Sequence, residues 1–109
     1  MTSISDLINL DIRVGTIIQA EVFAEANPPA YKLKIDFGDY GVKQSSAQLT
    51  RRYDEKSLTG RKIVAALGLP PKFIAGFKSE CLVLGAVDGL GDVILLDPGK
   101  DTPDGYVVR

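Results

Sequence analysis

Leu69–Gly85 reads LPPKFIAGFKSECLVLG, opening on a proline pair and ending in an apolar run. Pro70 and Pro71 fix their own φ and remove two backbone donors, so no regular ladder runs through them. A rigid loop is expected there. Gly76 permits a sharp bend or a positive φ. From Cys81 to Val87 the run CLVLGAV predicts a strand buried on most sides. Between loop and strand stand Lys72, Lys78, Ser79 and Glu80, interleaved with Phe73, Ile74 and Phe77. Cations beside exposed aromatics hold a phosphate backbone and stack a base. The same aromatics packed in a core or interface would leave the lysines merely solvated. The residues alone leave both readings open.

Working outward, Tyr31–Phe37 (YKLKIDF) alternates cleanly, with Tyr31, Leu33, Ile35 and Phe37 inward and Lys32, Lys34 and Asp36 outward. Gly38–Gly41 reads as a turn. Val42–Leu49 (VKQSSAQL) is a strand with amides and hydroxyls where Val or Ile is usual. Gln44, Ser45, Ser46 and Gln48 either meet a ligand in a groove or cap neighbouring loops. Upstream, Asp11–Phe23 is a strand with Ile12, Val14, Ile18, Ala20 and Val22 on one parity and Ile17 as an exception. Gly15 within it suggests a bend or bulge. Ser3–Asn9 makes one or two helical turns, capped by Ser3 or Ser5, with Ile4, Leu7 and Ile8 on one face. Downstream, Thr50–Ser57 is a charged helical turn. Lys62–Leu67 and Asp92–Leu96 are strands, and Tyr106–Val108 is a short edge strand.

Many short strands with Gly-bearing turns favour a small barrel or sandwich. A helix between strands three and four selects the oligonucleotide/oligosaccharide-binding (OB) arrangement. The expected architecture is all-β: a five-stranded OB-fold barrel with short helices at the N-terminus and after strand three, in one domain over residues 1–109.

Composition narrows the chemistry. There is no His and a single Cys among 109 residues. Imidazole acid/base work, thiolate metal cages and an internal disulfide are therefore out of reach. No phosphate-cradling or nucleophile-elbow motif occurs. The reading is a binding module, not an enzyme, with no cofactor. No apolar run approaches the ~20 residues of a membrane span, so no membrane insertion is expected. The N-terminus lacks a signal-peptide pattern, and with the lone Cys this makes the cytoplasm the default. Net charge is −1. Residues 41–80, however, carry eight cations against three anions, between two segments of net −3. A basic middle is an electrostatic footprint for a polyanion, or a solvated face.

LDIRVGTI (Leu10–Ile17), PAYKLKIDFG (Pro29–Gly38), KQSSAQL (Lys43–Leu49) and Leu69–Gly85 together resemble the CsaA family. These are small relatives of the tRNA-binding OB domain. The resemblance implies an OB-fold homodimer, with the N- and C-terminal extensions used for dimerisation. It implies binding of tRNA or single-stranded nucleic acid. For the CsaA branch it implies a chaperone role in protein export, acting on unfolded or precursor polypeptides. Ser79–Glu80 follows that branch, whereas Cys81 stands where the broader tRNA-binding domain usually carries Met. On an OB fold the ligand face centres on strands two and three. The expected site is a groove rimmed by Lys32, Lys34, Arg51, Lys72 and Lys78. Phe73 is its floor, and Gln44 and Ser46 touch the ligand backbone.

Overall fold

The computed structural model describes residues 1–109. Its elements are α1 (Ile4–Asn9), β1 (Ile12–Phe23), β2 (Ala30–Asp36), β3 (Val42–Ala47), α2 (Glu55–Leu58), β4 (Lys62–Ala66), β5 (Lys72–Ile74), β6 (Phe77–Ser79), β7 (Leu82–Val83), β8 (Gly85–Val87) and β9 (Val93–Leu95). β2 behaves as its alternation predicts. Tyr31, Leu33, Ile35 and Phe37 are buried, while Lys32, Lys34 and Asp36 face outward. β2 pairs antiparallel with β1 and β3, within a curled five-stranded sheet of order β3-β2-β1-β4-β7. Its concave side packs Ile17, Leu33, Ile35, Phe37, Leu49, Leu58, Ile63 and Ala65 into one core. Asp54 and Ser57 form a reciprocal cap at the start of α2. That helix joins β3 to β4 and buries Leu58 fully. This is the OB-fold arrangement.

β1 departs from the expected parity. Its register slips between Ile17 and Gln19, so the bulge lies at Ile18 rather than at Gly15. The slip turns Ile17 into the core and leaves Ile18 and Val22 about half exposed. Gly15 answers a different need. A Cβ there would stand 2.7 Å from the side chains of Ile35 and Phe37. Ile12 packs outside the barrel, in a second cluster with Val64, Ala66, Leu7 and Val108. Both chain ends thus cover the first half of β1. Ser3 caps α1 in a capping box with Asp6, and Leu7 reaches the cluster. The tail lies along the same stretch of β1. Val14 N–H donates to Tyr106 C=O at 2.9 Å, Gly105 N–H to Val14 C=O at 2.8 Å and Val108 N–H to Ile12 C=O at 2.7 Å. Asp104 anchors it by pairing with Lys62 at 2.8 Å and accepting from Thr16 at 2.6 Å.

Leu69–Gly85 differs most from expectation. The segment after the prolines is a β-hairpin, β5–β6, not an irregular loop. Cys81–Val87 breaks into β7, which pairs with β4, and β8, which pairs with another strand outside that sheet. Within the run only Cys81 and Val83 are buried. Leu82 and Val87 are exposed. β9 forms as expected within Asp92–Leu96, but it pairs with β8 in a separate two-stranded sheet.

Gly68 passes directly under the end of α1. Its N–H donates to Leu10 C=O at 2.8 Å. A Cβ there would collide with the Asn9 carbonyl oxygen and stand 2.9 Å from the Leu10 backbone. Gly68→Ala is expected to lower stability by about 1–3 kcal/mol, as overpacking does. Denaturant melts of the two proteins check this, and equal midpoints would contradict the contact.

Candidate binding surface beside the β5–β6 hairpin

Register decides which polar side chains of β3 share a face. Lys32 pairs with Ser46 and Lys34 with Gln44. All four therefore lie on the outer face of the sheet, while Ser45 faces the core and is fully buried. β1 extends that face, since Gln19 pairs with Lys34 and Glu21 with Lys32.

The hairpin crosses this face. Its turn is Ala75–Gly76, with φ of 46° and 80°. Two successive positive φ values make the turn whose twist suits a two-residue hairpin. Ile74 and Phe77 pack onto Phe23, Ala26 and Ala30. Phe77 meets Phe23 edge-on at 5.5 Å, and the Lys32 ammonium lies 4.6 Å from the Phe23 ring and 5.3 Å from that of Phe77. Side chains of β3 and the segment after the hairpin hold it down. The Gln44 amide donates to Lys78 C=O at 2.8 Å, and Gln44 N–H donates to the Glu80 carboxylate at 3.0 Å. Ser46 N–H donates to the Ser79 hydroxyl at 3.0 Å, and the Ser45 hydroxyl donates to Cys81 C=O at 2.8 Å. For Gln44 and Ser45, then, the neighbouring segment is the partner. Ser79 and Glu80 are part of the same stitching.

Two depressions flank the hairpin. The smaller, of ≈ 180 Å³, takes Lys32, Lys34, Gln44 and Phe77 into its walls. The larger, of ≈ 690 Å³, lies on the β5 side and has the volume of an ordinary ligand cleft. Ser46, Lys72 and Phe73 line it, and the Phe73 ring is 67% exposed. Leu69, Pro70, Leu82, Val83 and Val93 add to its apolar lining. Sequence reasoning passed over these. The one available signal was the outward parity of Leu82 between Cys81 and Val83. Lys78 lies opposite Phe73 on the hairpin and is exposed. Arg51 lines neither depression; its guanidinium reaches Asp92 at 3.4 Å. Arg52 and Lys62 are likewise paired, with Asp88 and Asp104. The surplus of positive charge in residues 41–80 is therefore partly neutralised, while Lys32, Lys34, Lys72 and Lys78 have no carboxylate partner.

Residues 12–106 match the family model described as "Putative tRNA binding domain". The crystal structure of chaperone CsaA from Bacillus anthracis superposes with a TM-score of 0.93 at 49% identity, covering 100% of this chain and 99% of that one. The chain belongs to the CsaA family. The CsaA chaperone of Picrophilus torridus is similar at 47% identity and a TM-score of 0.90, with both chains covered in full. The methionine–tRNA ligase of Methanococcoides burtonii is 32% identical over 109 residues. That is all of this chain but 16% of the ligase, so the CsaA-family barrel corresponds to a small part of that enzyme. No helix is long and apolar enough to cross a membrane.

In this CsaA-family chain Cys81 borders the larger groove yet is only 5% exposed. Its Sγ faces Gln44 C=O at 3.9 Å. Burial pushes the thiol up to about 11. Unfolding returns it to an ordinary value, roughly 8.5–9. Below that value the thiol is neutral in both states and its contribution is intact. As pH rises from there to about 11 the unfolded thiol ionises first, so stability falls, by at most about 3 kcal/mol. Tyr31, whose phenol burial also raises, adds a slope of the same sign. Denaturant melts from pH 8 to pH 11 are therefore expected to fall less steeply for Cys81→Ala than for the unsubstituted protein. Identical slopes would contradict burial of the thiol.

Proposed function

We propose that this chain is a chaperone that binds unfolded or precursor polypeptides in the larger groove and serves protein export from the cytoplasm. The lining of that groove carries the reading. Its walls are mainly apolar, and its two charged members, Lys72 and Glu80, are of opposite sign. Such a cleft suits a nearly neutral apolar segment better than a phosphate backbone. Two solved structures of close sequence are chaperones by description, which supports the same reading. In this proposal the chain acts by binding alone.

A second reading, tRNA binding, has its own support. Lys72 and Lys78 flank the exposed Phe73, and Lys32 and Lys34 border the smaller depression. All four are without a carboxylate partner, which suits phosphate contacts and base stacking. The description of the matching family model favours it too. We place this activity on the hairpin and the outer sheet face, with Gln44 and Ser46 beside the lysines.

The acting species in this proposal is a homodimer. Ile4, Ile8 and Leu10 of the N-terminal segment and Tyr106 and Val107 of the tail are all exposed large apolar residues. They flank the same part of β1, and a two-fold contact would bury them against their copies. Sedimentation equilibrium at micromolar concentration is expected to give a dimer, and Ile4→Glu with Ile8→Glu a monomer. A monomer without substitutions would overturn the assembly.

Titration with a reduced, alkylated, permanently unfolded protein and separately with tRNA tests the ligand. Phe73→Ala is expected to weaken the polypeptide by about 1–3 kcal/mol, the loss typical of burying an aromatic side chain. The double variant Lys72→Ala, Lys78→Ala is expected to leave polypeptide binding nearly unchanged. It should reduce tRNA affinity and flatten its salt dependence by roughly two log–log units. Polypeptide binding that collapses with salt and with the double variant would favour the tRNA reading instead.

A further inference from the structure

The larger groove has two walls of backbone as well as a floor of side chains. β5 is hydrogen-bonded to β6 alone. In a two-residue hairpin the residues flanking the turn, here Ile74 and Phe77, exchange backbone hydrogen bonds. Alternation then aims the N–H and C=O of Phe73 away from β6, and Phe73 is part of the groove's lining. The facing wall is the end of β3. Its edge is engaged as far as Ser46, whose N–H goes to Ser79. Beyond that, neither the N–H nor the C=O of Gln48 has a partner within the protein. Leu49 N–H donates to Ala47 C=O at 3.0 Å, an i to i+2 bond that makes Gln48 the centre of a γ-turn. Exposed strand edges are normally blunted by proline, charge or a bulge. Here Pro70, Pro71 and Lys72 guard only the entry to β5, and the open stretch at Phe73 lies in an apolar cleft.

We propose that the groove takes its polypeptide as an added β-strand. The ligand is an extended, weakly charged segment with apolar residues at alternate positions. Its main chain bonds to Phe73 and Gln48, and its apolar side chains descend onto Leu82, Val83 and Val93. This rests on the polypeptide reading above and specifies the conformation and pattern of the bound segment. Main-chain recognition tolerates many sequences, and the two-residue period of a strand sets the pattern. Lys72 and Glu80 disfavour segments with a large charge of either sign.

The test uses a capped seven-residue peptide of leucines alternating with serines, followed by fluorescence anisotropy. A second peptide is identical but N-methylated at two successive central residues, which blocks both of its edges. The unmodified peptide is expected to bind at least tenfold more tightly than the methylated one. Gln48→Pro, which removes one N–H at a φ that a γ-turn and proline share, is expected to weaken the unmodified peptide threefold to tenfold. Phe73→Ala should weaken both peptides. If the two peptides bind alike and Phe73→Ala weakens both, the groove reads side chains only; strand addition is then wrong and the polypeptide reading stands. If neither peptide binds, both fall.

Discussion

Closure of the barrel depends on a seam made largely by side chains. β3 ends the five-stranded sheet, and the chain facing its outer edge is Ser79–Cys81. One backbone bond crosses that seam, from Glu80 N–H to Gln44 C=O at 2.8 Å. The other bonds to β3 involve a Ser hydroxyl, a Gln amide or a Glu carboxylate. A buried hydroxyl such as that of Ser45 is costly unless paired, and here Cys81 C=O supplies its partner. The Gln44 amide and the Ser45 hydroxyl each answer a carbonyl across the seam. The hairpin that builds both depressions is held by these same bonds, so groove geometry and fold closure are one problem.

β1 meets a second constraint by being buried on both sides over its first half. Its inner face serves the main core, and its outer face is sealed by α1 and by the tail. Gly15 lets Ile35 and Phe37 come against its backbone. The bulge at Ile18 then turns the strand so that its second half carries Gln19 and Glu21 on the face shared with Lys32 and Lys34. One strand thus links the sealed end of the barrel to the surface that borders the smaller depression.

The clean alternation of Tyr31–Phe37 and a helical turn before Lys62 pointed to a small β-barrel, and the family resemblance to an OB fold. β2 lies where its pattern put it, whereas the helix forms at Glu55–Leu58 rather than over Thr50–Ser57, because Asp54 and Ser57 supply its cap. The polarity of Val42–Leu49 was visible too, with capping of a neighbouring segment as one of its two readings, but which segment was not. A seam is a long-range relation, and no local period reports which segment lies opposite. The apolar run after Cys81 misled for a related reason. Continuous hydrophobicity normally marks burial, whereas Leu82 spends its apolar surface on a groove wall. Within the site, Gln44 and Ser46 share the outer face with Lys32 and Lys34, a relation that depends on register and that alternation alone leaves open. Arg51 was placed by its position in the chain, and its pairing with Asp92 depends on a strand turn some forty residues away. Leu69, Pro70 and Val93 join the groove only through tertiary folding, so no spacing rule could find them.

The contact between tail and β1 also fixes an order of events. Residues 105–108 bind residues 12–14, close to the greatest sequence separation the chain allows. Until residues 105–108 have left the ribosome, the edge of β1 beside Val14 has no strand to cover it. A nascent barrel therefore exposes that edge, and leaves the Ile12 cluster without Val108, until residues 105–108 emerge. Residues 105–108 act as a clasp that distinguishes the sealed barrel from any form that lacks them.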